Sequence, residues 1–159
     1  MSNVDFVAEP GKQTIVITQI FDAPRDLVWK IITDPKLVPK WWGPKMLKNN
    51  VEKMEIKTGG SWRIVQQDPE SNKFIFHGVY HDVKPYQVTR TMEWEGMPGH
   101  VLLESVKMEE IDGKTKVTNN TIFQSVEDRD GMVETGMKGG VDESYDRFNE
   151  LLKEIQKGS

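Results

Sequence analysis

The stretch VDESYDRFNELLKEI, residues 141–155, decides the fold. Val141, Tyr145, Phe148, Leu152 and Ile155 recur every three or four residues, while Asp142, Glu143, Asp146, Glu150 and Lys153 fall on the opposite side. That is the period of a helix laying one apolar stripe on a core. The helical segment extends back to about residue 127, with Ser125 and Asp128 as candidate N-caps and glycines at 131, 136, 139 and 140 that loosen or break its first part.

Upstream of this helix the apolar period changes to two. Alternating runs at 51–57, 61–67, 73–83, 87–95, 101–110 and 115–125 predict six strands. Gly59-Gly60, 68–72, Lys84-Pro85, 96–99 and Asp112-Gly113 supply turn residues between them, so sequence neighbours pair antiparallel. KQTIVITQIFD, residues 12–22, predicts one earlier strand with Ile15, Ile17 and Phe21 on one face. Asp22 then caps a short helix that carries Leu27, Val28, Ile31 and Ile32 and ends at Asp34-Pro35. Lys36 to Trp42 forms a second helical turn, closed by Gly43-Pro44. This order, without repeat or linker, predicts an α+β domain spanning 1–159, with its core at 12–157 and a seven-stranded antiparallel sheet around the long C-terminal helix.

Composition narrows the function. A formal charge of −4 and interleaved acids and bases argue against nucleic acid, whose phosphates need clustered Lys and Arg. There is no cysteine, which excludes disulfides, Cys-ligated zinc and thiolate nucleophiles and suits a cytoplasmic, reducing setting. Met1 to Pro10 lacks the pattern of a secretory signal, and no apolar run approaches the roughly 20 residues of a membrane span.

Several motifs, taken in order, resemble a known family. They are Phe21-Asp22-Ala23-Pro24 with Val28-Trp29, Trp41-Trp42-Gly43-Pro44, Thr58-Gly59-Gly60-Ser61-Trp62, His77-Gly78-Val79-Tyr80 with Val83-Lys84-Pro85, and Glu134-Thr135-Gly136-Met137 leading to Arg147-Phe148. The chain resembles homologues of the activator of the 90-kDa heat-shock-protein ATPase, within the START-like (SRPBCC) superfamily. That resemblance implies a helix-grip fold of the START/Bet v-like kind with an internal cavity. It also implies either a small apolar ligand, in a stress or signalling response, or a chaperone partner. One departure is Gly140-Val141, where the family often has Gly-Trp at the start of its last helix.

Strand parity gives candidate lining residues. Met54, Trp62, Ile64, Met92, Trp94, Met108 and Phe123 are expected to face inward, with the strand at 73–83 ambiguous. Taken singly, each reads as ordinary core. Together, eight methionines and five tryptophans suit an adaptable apolar surface. Met137, Val141 and Tyr145 join them from the helix. Asn119 and Thr121 share the inward parity and could orient a ligand, whereas Arg90, of the same parity, reads as a wet strand end. Of the adjacent Trp41 and Trp42, one is expected to seal the core and the other to reach the pocket mouth or the surface.

No catalytic constellation is legible. His77 and His81 would lie roughly 13 Å apart on one strand face, too far to share an ion, so no metal or cofactor is expected. Glu93 and Glu95 read as a solvated strand face, and His100 as an exposed turn residue. The leading expectation is binding of a small hydrophobic molecule by a monomer or weak homodimer. A chaperone-interacting protein is the alternative. An enzyme of cyclase or hydrolase type ranks last, with a polar pair converging inside the cavity as its discriminator.

Overall fold

The computed structural model describes residues 4–158, so residues 1–3 of the expected domain and N-terminal segment, and residue 159, lie outside the described residues. Eight strands form one antiparallel sheet: β1 Asp5–Val7, β2 Thr14–Phe21, β3 Lys48–Met54, β4 Ser61–Gln67, β5 Lys73–Lys84, β6 Gln87–Trp94, β7 Val101–Ile111 and β8 Lys114–Ile122. The spatial order is β1-β2-β8-β7-β6-β5-β4-β3. After β2 the chain leaves through helix α1, Arg25–Thr33, and a 3-10 turn, Val38–Lys40, to the far edge. It then meanders back until β8 lies beside β2, with Thr14 opposite Ile122 and Phe21 opposite Thr115.

The eighth strand is the addition to the expected seven. At three residues, β1 is too short to show an alternation, and it forms by pairing Phe6 with Ile17 on an existing edge. One local expectation is corrected, and the break expected in the C-terminal segment is located. Asp22 does not cap α1: Pro24 is the N-cap, in extended backbone and without a side-chain bond, and its carbonyl accepts the first helical N–H groups, those of Leu27 and Val28. The C-terminal segment is two helices, α2 Val126–Glu134 and α3 Met137–Lys157. The break falls at Gly136, whose φ of 86° is left-handed backbone that a side chain would strain. Ser125 does cap α2, its hydroxyl accepting from the Asp128 N–H at 3.0 Å.

Along β2 the alternation is as written in the sequence: Ile15, Ile17 and Phe21 are buried, and so is Gln19 between them. The C-terminal half of α3 plugs one end of the sheet's concave face. Phe148 stacks on Phe21 at 4.4 Å and meets Trp41 edge-on at 5.0 Å, with Leu151 and Leu152 buried beside it. The N-terminal half of α3 crosses the other end, where Gly136 and Gly139 have nothing within 4 Å of a would-be Cβ. Gly136 and Gly140 border the space that remains under the helix.

Candidate functional site

The space is a cavity of about 400 Å³ between the concave face of the sheet, the Trp41–Pro44 turn and the first half of α3. Trp41, Trp42, Met54, Ile64, Met92, Asn119, Thr121, Met137, Val141 and Tyr145 all line it, joined by Phe76, Val88, Val106 and Val117 from the strands.

Four of the expected residues do not. Trp62 and Met108 are fully buried in the core behind the cavity wall, and Phe123 sits in the small cluster with Ile15, Ile17 and Leu102. Trp94 is corrected outright. It keeps the inward parity of Arg90 and Met92, but β6 ends there, and its ring folds over Gly96 at 40% exposure.

The two adjacent tryptophans differ in burial, and both border the cavity. Trp41 is buried, its indole N–H donating to the Ile31 carbonyl at 3.1 Å. Trp42 is half-buried and packs edge-on against Phe76 at 5.5 Å and Trp62 at 6.3 Å. Helix α3 holds their turn. Ser144 Oγ accepts from the Gly43 N–H and donates to the Trp41 carbonyl, and the Arg147 guanidinium reaches the carbonyls of Pro39, Trp42, Gly43 and Pro44. Burial lowers the Arg147 pKa, with Glu143 and Glu150 opposing it. Asn49 adds a bond from β3 to the Trp42 carbonyl at 2.6 Å.

One polar row crosses the apolar wall. Tyr80 on β5 is the register partner of Arg90 on β6, Arg90 of Glu104 on β7, and Glu104 of Thr121 on β8. All four face the cavity. Arg90 Nε donates to Glu104 Oε1 at 3.0 Å, with side chains only 14% and 16% exposed, so the expectation of a wet Arg90 is wrong. The guanidinium carbon also lies 4.0 Å above the centroid of the Trp62 ring, a cation–π contact out of water. Gly78 makes room for that indole: a Cβ there would come within 2.8 Å of Trp62 Nε1, whose N–H donates to the Thr91 carbonyl. Thr121 donates to Asn119 Oδ1 at 2.7 Å, closing the row at β8.

The electrostatics follow from burial. Burial works against the Arg90 charge, but the Glu104 carboxylate and the nearby Tyr80 oxygen outweigh it and raise the guanidinium pKa. Burial pushes the Tyr145 phenol far up, and the Glu104 charge adds to the shift. Burial raises Tyr80 also, partly offset by Arg90. The Tyr80 hydroxyl is buried without a hydrogen-bond partner of ordinary geometry.

The histidines and the Glu93–Glu95 pair sit elsewhere. On the convex face, Arg63 bridges Glu52 and Glu95, and His77 contacts Glu95 at 2.9 Å and Glu93 at 3.5 Å. The Arg63 hydrogen bond holds the Glu95 carboxyl below its usual value. His100 is an exposed turn residue beside Asp128, at 2.9 Å. Among the described residues no helix is long and apolar enough to cross a membrane.

Sequence reasoning missed Tyr80, Glu104 and the inward role of Arg90. A signal did exist: Glu104 shares the parity of Val106 and Met108, an acid at an inward position opposite a base.

Comparison with known proteins agrees with this architecture. Protein Ms6760 from Mycobacterium smegmatis superposes with a TM-score of 0.84 at 23% identity, covering 96% of this chain and 99% of its own. A protein from Rhodobacter sphaeroides gives 0.87 at 20%, covering 95% and 99%. One from Arthrobacter aurescens gives 0.86 at 25%, covering 94% and 91%. No curated protein matches the chain. The family profile described as Activator of Hsp90 ATPase homolog 1-like protein matches residues 22–153. With that span and the helix-grip architecture together, the chain belongs to the activator of Hsp90 ATPase homolog 1-like family of the START-like (SRPBCC) superfamily.

Proposed function

We propose that the protein binds a small, mainly apolar molecule, aromatic or lipid-like, in the cavity under α3. The observation that carries this reading is a void of about 400 Å³, within the size range of ligand pockets, walled by apolar side chains and crossed by one buried polar row. Cores without a ligand role pack to near-crystalline density and leave few voids larger than a water. We place entry between the Trp41–Pro44 turn and the first turns of α3, the two elements that border the cavity opposite the sheet.

A panel of hydrophobic aromatics and lipids, read by tryptophan fluorescence and thermal shift, tests the reading. A ligand specific for the folded state at 100 times its Kd adds about 2.7 kcal/mol of stability. If no compound moves either signal at soluble concentrations, the reading is wrong.

The family description supports a second reading, a chaperone partner. Pull-down with the 90-kDa chaperone and an ATPase assay separate it from the first. The convergent Arg90–Glu104 pair favours an enzyme of cyclase or hydrolase type as a third, which turnover of a bound compound would establish.

A further inference from the structure

Arg90 and Glu104 are the only charged side chains among the described residues that line the cavity. They neutralise one another through the Nε–Oε1 bond. That bond uses one edge of the guanidinium, and its face lies on Trp62. Beside it, the Tyr80 hydroxyl is buried and makes no hydrogen bond of ordinary geometry; its charged neighbour Arg90 can only donate toward it, so the phenol proton has no acceptor. A buried donor without an acceptor is costly, and a ligand atom can relieve that cost.

We infer that the ligand carries a neutral hydrogen-bonding group, a hydroxyl or a carbonyl, which docks at Tyr80 and the Arg90 edge while its apolar body lies toward Met92, Val141 and Trp42. This deepens the cavity-binding reading and rests on it. The charge count sets the neutrality. A carboxylate placed at Tyr80 would be a second anion on a guanidinium that Glu104 already neutralises, in a wall with no other cation to receive it. A hydroxyl or carbonyl brings no charge, completes the Tyr80 bond, and leaves the Arg90–Glu104 pair intact. Tyr145, reaching over from α3, adds a second phenol to the same apolar surround and no positive charge.

The test is calorimetric titration at neutral pH with three probes of one shape: 2-naphthol, 2-naphthoate and 2-methylnaphthalene. The naphthol is expected to bind at least tenfold more tightly than the naphthoate, and severalfold more tightly than the hydrocarbon. Tyr80→Phe should bring naphthol affinity down to within about twofold of the hydrocarbon, whose own affinity should not change, as expected from loss of one hydrogen bond. Glu104→Gln should favour the naphthoate selectively, because Arg90 then lacks its anion. If the naphthoate binds the wild-type protein as tightly as the naphthol, or if Tyr80→Phe leaves the naphthol advantage intact, the inference is overturned. Equal binding of all three would overturn it and leave the cavity reading standing. Binding of none would remove both.

Discussion

Arg90 and Glu104 sit directly opposite one another on β6 and β7, and the Nε of the first donates to Oε1 of the second at 3.0 Å in the cavity wall. Two charges so placed lose most of their hydration. Their attraction offsets that loss only while both remain. Arg90→Leu or Glu104→Leu alone is therefore expected to destabilise the protein by about 3 kcal/mol, by leaving one buried charge unpaired. The double replacement should recover most of that loss. A urea-denaturation double-mutant cycle measures it, and additive losses would refute the account.

Arg147, half-buried on α3, is a cation with a positional task. Its guanidinium reaches four carbonyls of the turn that presents Trp41 and Trp42. Arg147→Met keeps the stem and removes the donors, and should cost about 2 kcal/mol, the scale of charge-assisted bonds. Hydrogen exchange should quicken over residues 38–44 more than in β7 and β8. Uniform quickening across the sheet would show that the arginine does not fix the turn.

Gly136 and Gly139 should respond in opposite ways. Gly136 holds left-handed backbone, so Gly136→Ala is expected to cost about 1 kcal/mol. Gly139 lies inside α3 with nothing within 4 Å of a Cβ, so Gly139→Ala should stabilise by about 0.5 kcal/mol. Thermal melts of the two variants decide it, and the reverse ranking would contradict the assigned helix break.

All three tyrosines carry raised pKa values. Burial raises Tyr145 and Tyr80, and at the surface a hydrogen bond to Asp26 raises Tyr86. A phenol whose folded pKa exceeds its unfolded value of about 10 favours the folded state at lower pH, and that contribution falls as pH rises from the unfolded value through the folded one. Spectrophotometric titration should find no tyrosine ionising at the ordinary value while the protein is folded. Stability should decline from about pH 10 upward. A phenol that titrates normally in the folded protein would contradict the arrangement.

The legible parts of the fold are those where one residue and its near neighbours settle the matter. Ser61–Gln67 is a strand at the boundaries its alternation marks, because turn residues stand at both ends. Lys48, Asn49 and Asn50 lengthen β3 without an apolar signal, since pairing with Gln67, Gln66 and Val65 supplies the reason. Parity tells which face a residue takes, but not where along the strand the void lies. Trp62, Met108 and Phe123 therefore face inward and still miss the cavity. The row of Tyr80, Arg90, Glu104 and Thr121 depends on the register of three ladders, which no local pattern encodes.

The pairing of β2 with β8 has a bearing on how the chain folds. Strand β2 forms its inner ladder only when residues 114–122 arrive, with Ile15 opposite Thr121. Until then its buried face, Ile15, Ile17 and Phe21, has only β1 beside it. Closing so long a loop before any return in contacts is the slow kind of step, placing folding on the millisecond-to-second scale of non-local β topologies. During synthesis that apolar strand emerges early and waits for almost the whole sheet to follow. The interval in which the nascent protein depends on protection from aggregation is thus set by its strand order, whatever the mature cavity holds.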